Sequence, residues 1–466
     1  MKASVSPHAH PEAATASWAP DSWRGRTALQ MPVYPDPVAL EASLHELRQL
    51  PPLVTSWEIF ALKKQLAEAQ EGRRFLLQGG DCAEKFDDCG SATITNRLKV
   101  LLQMSLVLVY GLQMPVTRVG RFAGQYAKPR SADTETRDGV TLPSFRGDVV
   151  NAPQFTAQAR VPDPRRMVTA HSRSALTMNF VRALIDGGFA DLRHPEYWNL
   201  SWVGCSPLAV EYQRMVASIG DAVNFMETLA GGEVHNLNRI DFFTSHEALL
   251  LPYEEAMTRQ VPRQWGWFNL STHYPWIGMR TAALDGAHVE YFRGIRNPIA
   301  VKVGPSAQPD QLLRLIDVLN PEDEPGRLTF IHRMGAAQIA EKLPPLLQAL
   351  KRDGRRVLWV CDAMHGNTES TANGYKTRRF DNILEEVELA FDLHAAAGTR
   401  LGGVHLELTG EDVTECTGGA RQLTEHDLER AYRSTVDPRL NYEQSLEIAM
   451  AIVRKRGHDR MLAAQA

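Results

Sequence analysis

An eight-stranded α/β barrel, (β/α)8, is the fold this sequence predicts. Three observations predict it. Short β-rich runs recur along the chain, each run closes on glycine or a polar cluster, and helix-like stretches separate them. At 466 residues the chain could divide into several domains, but a barrel with insertions absorbs this length as one unit.

Taken in order, the opening residues mix Pro, Ala, Ser and His without periodicity and read as a tail. VALEASLHELRQL (38–50) then carries apolar residues at helical spacing, and TSWEIFALKKQLAEAQEG (55–72) opens on a Thr/Ser cap and stops at Gly72. Residues 1–72 are therefore expected as an N-terminal tail plus helices, and 73–456 as the barrel. Its predicted strands are RFLLQ (74–78), VTRVG (116–120), IDFFT (240–244), WGWFNL (265–270), IAVKVG (299–304), LTFIHR (328–333), RVLWVCD (356–362) and VHLEL (404–408). Helices are predicted near 96–110, 246–259, 311–319, 339–352 and 381–396. The connection 122–239, between strands two and three, exceeds a simple crossover. Helical patterns near 171–185 and 207–229 predict an inserted helical element at 190–239, a kind of insertion that serves subunit contacts or effector sites.

Composition excludes several classes of function. Hydrophobic content of 44% and charged content of 23% are those of a globular protein, and a net charge of -4 provides no field for nucleic acid. The longest apolar run, 100–112, contains Gln and Ser and falls short of the roughly 20 residues of a membrane helix, so no membrane partner is expected. Residues 1–26 lack the apolar centre of an export signal, and a cytoplasmic protein is expected. Five cysteines, an odd number without a CxxC pair, fit a reducing compartment.

In this barrel class the chemistry sits at the C-terminal ends of the strands, and the predicted ends are strongly polar. One set is cationic: Arg121, Lys128, Arg130, Arg280, Lys302 and Arg333, with Lys376 and Arg378 in the loop after strand seven. Cations converging from separate strands call for a dense anionic substrate, one carrying phosphate. A second set, Cys82, His365, Glu407 and Asp437, offers S, N and O donors that suit a divalent metal. Spacing alone does not distinguish these four from scattered residues, because no compact motif such as HExxH joins them.

Longer blocks carry more. They are LLQGGDCAE (76–84), GQYAKPRSAD (124–133), SFRGD (144–148), TSHEALLLPYE (244–254), LDGAHVE (284–290), EPGRLT (324–329), MHGNT (364–368), GGVHLELTGEDVTEC (402–416) and DPRLN (437–441). With these blocks the chain resembles the type II 3-deoxy-D-arabino-heptulosonate 7-phosphate (DAHP) synthases, the plant and actinobacterial kind. The resemblance implies a TIM barrel that condenses phosphoenolpyruvate with erythrose 4-phosphate at a divalent metal, Mn2+ first, with Co2+, Fe2+ and Zn2+ as alternatives. It implies Cys82, His365, Glu407 and Asp437 as metal ligands and Arg121, Arg280, Lys302 and Arg333 as phosphoenolpyruvate contacts. Lys128, Arg130 and Ser131, with Lys376, fall to the erythrose 4-phosphate region, and Glu247 and Trp276 to catalytic support. It further implies homo-oligomers and aromatic amino-acid effectors. One departure stands out: Met279 occupies the position of a family glutamate beside Arg280. Two alternatives stay open, a related synthase of specialised metabolism (an aminoDAHP or phenazine-type paralogue) and a catalytically impaired regulatory paralogue that binds phosphoenolpyruvate.

Overall fold

The computed structural model describes residues 18–191, 198, 209–230 and 240–465. Its centre is an eight-stranded sheet made of β1 (Phe75–Gly80), β2 (Val116–Arg121), β3 (Phe243–Thr244), β4 (Trp276–Ile277), β5 (Ile299–Val303), β6 (Leu328–His332), β7 (Leu358–Cys361) and β8 (Leu401–Glu407). Neighbours run parallel in the order β3-β2-β1-β8-β7-β6-β5-β4. The two end strands meet through a parallel bridge between Glu247 and Trp276, where the Trp276 amide donates to the His246 carbonyl at 3.1 Å. The sheet thereby curls into the (β/α)8 barrel.

The fourth strand differs from expectation. Trp267–Asn269, within the predicted run 265–270, instead pairs antiparallel with Thr258–Gln260, while the barrel takes Trp276–Ile277. The β-branched and aromatic character of the run does form a strand, but a local partner claims it, and Trp265 is left 82% exposed. The same hairpin cuts the predicted helix 246–259 down to Leu251–Ala256.

Helix ends follow their side chains. Asp36 accepts from the Val38 and Ala39 amides ahead of Pro37–Gln49, and Thr55 with Glu58 forms a reciprocal capping box on Ser56–Gln70. The latter helix closes the lower mouth of the barrel. Its Leu62, Leu66 and Ala69 share one buried cluster with Leu76, Val119, Ala300, Ile331, Leu358 and Val360 from the strands. Ser91–Leu112 is long and apolar enough to cross a membrane, yet 67% of its apolar window is buried inside the protein, against the C-terminal helix Tyr442–Gln465 and β2. It is a core helix.

The long connection after β2 contains the hairpin Thr134–Arg137 with Val140–Pro143, then helices Arg165–Asp186 and Ala209–Ala230. Of the predicted insert 190–239, the positions 190, 191, 198 and 209–230 are described, and the remainder lies outside the described residues.

Candidate active site

Side chains alternate across a strand, so a residue two positions beyond an inward-facing one also faces inward, about 7 Å further up the barrel. Val119, Ala300, Ile331 and Val360 belong to the apolar interior cluster. Two residues on, the chain places Arg121, Lys302, Arg333 and Asp362. On β8 the same register carries His405 and Glu407. One face of one sheet thus changes from oil to charge within a single step.

The proposed metal ligands converge there. Donor atoms of Cys82, Glu407 and Asp437 all lie within 4.8 Å of one another. His365 Nε2 stands 3.0 Å from Glu407 Oε1, and its Nδ1 is held by Asp362 Oδ2 at 2.8 Å. A carboxylate on Nδ1 orients the ring so that Nε2 is the nitrogen offered to the cluster. Burial, together with the Glu407 charge, pushes the Cys82 thiol well above its ordinary range. A cation among these donors would reverse that by stabilising the thiolate. Burial also raises Glu407, but His365, Arg378 and Arg121 outweigh it and hold the carboxylate ionised. One thiolate, one imidazole and two carboxylates fit a borderline first-row divalent metal. Among the described residues a second trio, His332, Cys361 and Glu386, also clusters. Both Glu386 oxygens there already accept from N–H groups, which marks a packed polar layer rather than an ion site.

Above the donors opens a cavity of about 380 Å³. Every predicted site residue except Glu407 lines it, and Glu407 lies directly behind, paired with Arg121 at 3.1 Å and Arg378 at 2.7 Å. The cations divide into two groups. Arg121, Lys302 and Arg333 rise from the barrel floor, where the Trp276 ring lies 5.3 Å from the Arg121 guanidinium and 5.9 Å from Lys302 Nζ. Lys302 is ion-paired with Asp362, and burial lowers its pKa to about 8 despite that partner. Lys128, Arg130 and Ser131 come from the loop after β2, and Lys376 from the loop after β7. Lys128 Nζ reaches Cys82 Sγ at 2.7 Å, Lys376 Nζ reaches Asp437 Oδ1 at 2.9 Å, and Arg280 donates to Ser131 Oγ at 2.8 Å. Glu247 faces the cavity beside these cations. Its pKa is raised by burial, against the pull of Lys128, His365 and Lys302.

The profile of the Class-II DAHP synthetase family matches residues 18–453. The chain belongs to that family. It is 49% identical over 440 residues to the phospho-2-dehydro-3-deoxyheptonate aldolase of Streptomyces coelicolor, covering 94% of this chain and 98% of the relative. An enzyme of the same name from Neurospora crassa is 46% identical over 451 residues, with 93% of each chain covered. The phospho-2-dehydro-3-deoxyheptonate aldolase AroG of Mycolicibacterium smegmatis is 44% identical over 437 residues, again with 93% of each covered. A DAHP synthase of this family works with a divalent metal, which the donor cluster is chemically suited to hold.

Sequence reasoning missed the buried carboxylates that fold the rim loops. Glu84 accepts from the amides of Ala123, Gly124 and Gln125 at 2.9 to 3.0 Å and so shapes the loop that carries Lys128. Glu415 accepts from the amides of Arg433, Ser434 and Arg439 and grips the Arg439 guanidinium, fixing the turn that contains Asp437. Glu386 accepts from the amides after β6 and from Asn367 after β7. Glu84 and Glu415 stood inside the recognised blocks but carried no sign of their role, since a carboxylate folding a loop reads like any surface acid.

Proposed function

We propose that this chain is a 3-deoxy-7-phosphoheptulonate synthase. It joins phosphoenolpyruvate, D-erythrose 4-phosphate and water to give DAHP and inorganic phosphate, the entry step of aromatic amino-acid biosynthesis. The observation that carries this reading is one cavity in which two separate groups of cations flank a single S, N, O donor set. Two phosphorylated substrates need two such grips, and a carbon–carbon bond between them needs their reacting ends side by side.

Arg121, Arg280, Lys302 and Arg333 hold phosphoenolpyruvate, and Lys128, Arg130, Ser131 and Lys376 hold the sugar phosphate at the outer rim. Cys82, His365, Glu407 and Asp437 hold a divalent metal, Mn2+ by preference with Co2+, Fe2+ or Zn2+ admitted by the same donors; when bound it supplies Lewis acidity to the aldehyde. The cation floor fixes the enol so that C3 faces the aldehyde carbon, and water then adds at C2 as phosphate leaves. Glu247, whose carboxyl burial raises, is placed to exchange a proton with that water. Trp276 keeps Arg121 and Lys302 in place beneath the substrate.

Loss of the enol's ultraviolet absorbance, followed with erythrose 4-phosphate and Mn2+ or Co2+, tests this. Turnover that requires both substrates and the metal is expected. Phosphoenolpyruvate binding without consumption would instead point to a regulatory paralogue. Met279, 37% exposed at the cavity wall with its sulfur against Gly304, favours a second reading, a synthase of specialised metabolism taking another aldehyde. Met279→Glu separates the two, since only the second predicts a change in aldehyde preference. The exposed Val210, Phe225 and Leu229 on Ala209–Ala230 support a homo-oligomer, and a cytoplasmic setting suits both phosphorylated substrates. Aromatic amino acids added to the same assay test for effectors.

A further inference from the structure

Arg333 directly follows β6 and His365 opens a short turn beyond the neighbouring β7, and nothing in a strand ladder fixes the loops beyond it. Here those loops are locked together. Arg333 Nη2 donates to the His365 carbonyl at 3.0 Å. Behind that contact Gly335 and Gly366 pack backbone to backbone, so closely that a Cβ on Gly366 would lie 2.3 Å from the Gly335 nitrogen. Gly335 also has φ of +85°, a conformation favouring glycine.

One carboxylate ties this junction. Glu386 lies on the helix Phe380–Ala397, outside the barrel wall, and is fully buried. Its Oε1 accepts from the Met334 and Gly335 amides, each at 2.9 Å, and its Oε2 accepts from Asn367 Nδ2 at 2.7 Å. Asn367 in turn accepts from the Ala336 amide at 3.0 Å and donates to the Ala363 carbonyl at 2.8 Å. The chain of contacts runs from the residue after Arg333, through Glu386, to the turn that begins at His365. We propose that Glu386 is a positioning residue that sets the spacing of Arg333 and His365, and with it the affinity for phosphoenolpyruvate and for the metal, without touching either.

The inference rests on the assignment of Arg333 and His365 to substrate and metal. It predicts a split that general destabilisation would not produce. The opposite rim, with Lys128 and Arg130, is shaped by Glu84 and has no hydrogen bond to Glu386. In Glu386→Ala, KM for phosphoenolpyruvate and the Mn2+ dissociation constant are expected to rise roughly 10- to 100-fold, the range seen when groups behind metal ligands are lost. KM for erythrose 4-phosphate, measured with Mn2+ saturating for each variant, should stay within about twofold. Glu386→Gln keeps an oxygen for the two amides but meets Asn367 with a second N–H donor, so it should show the same split at smaller size.

Mn2+ affinity is measured by calorimetry on metal-stripped protein, and phosphoenolpyruvate binding by the same method, so the inference is judged even if turnover with erythrose 4-phosphate is absent. Absence of wild-type turnover would count against the assigned reaction and not against Glu386. If Glu386→Ala does not fold, Glu386→Gln decides. Parallel loss in both KM values, or unchanged Mn2+ and phosphoenolpyruvate affinity in a folded variant, would overturn the proposal.

Discussion

The lower and upper halves of the barrel interior are built from the same strands, on the same face, two residues apart. Below, Val119, Ala300, Ile331 and Val360 meet Leu62 and Leu66 of the plugging helix. Above, Arg121, Lys302 and Arg333 line the cavity, with Asp362 buried behind them and paired with Lys302. An apolar layer that fills the base holds the barrel without help from the charged one, so the upper layer can be selected for anions although its cations repel one another. Where charges there are deeply buried they are paired, Arg121 and Arg378 with Glu407 and Lys302 with Asp362. Apolar packing and charge thus occupy separate layers of one sheet face.

The largest expected effect is in the upper layer. His365→Ala should reduce turnover to background in buffer saturated with Mn2+, while the melting temperature of the metal-free protein stays close to wild type. Near-normal activity would remove His365 from the site. Next, Arg333→Met should raise KM for phosphoenolpyruvate roughly 10- to 100-fold, matching the 1.5–3 kcal/mol typical of a hydrogen bond to a charged group, and steady-state kinetics reads it directly.

Leu66→Ala probes the lower layer. It should cost about 2–5 kcal/mol in chemical denaturation and leave kcat and both KM values within about twofold. A selective loss of substrate affinity there would break the distinction between layers. The smallest effect is one of pH. Burial lowers Lys302 to about 8, and only its ammonium form attracts the anion. Affinity for phosphoenolpyruvate should weaken as pH rises from 7 through about 8, by about tenfold per unit beyond it. Calorimetry across pH checks this, and Lys302→Met should abolish the dependence.

Much of this was legible in the residues. Seven of the eight barrel strands overlap runs visible by composition and punctuation. The polar strand ends foretold the cationic lining of the cavity. The remaining strand, β4, was hidden because two residues, Trp276 and Ile277, are too few to show alternation, while the stronger β signal of 265–270 belonged to a local hairpin. The proposed metal donors were hidden differently. Cys82 and Asp437 lie 355 positions apart, and only the recognised blocks singled them out. Glu386 could not be read at all, since within NILEEVELAF it looks like a solvated helix face. What buries it is the packing of its helix against the helix Ala336–Asp353 and β8, a property of the fold and not of the local pattern.

A crystal structure of the protein soaked with Mn2+ and phosphoenolpyruvate shows whether metal and substrate meet in this cavity. The expected result is one anomalous peak among Cys82, His365, Glu407 and Asp437, with phosphoenolpyruvate against the cation floor of Arg121, Lys302 and Arg333 and in contact with Arg280. Manganese at His332, Cys361 and Glu386 instead, or phosphoenolpyruvate bound away from that floor, would contradict it.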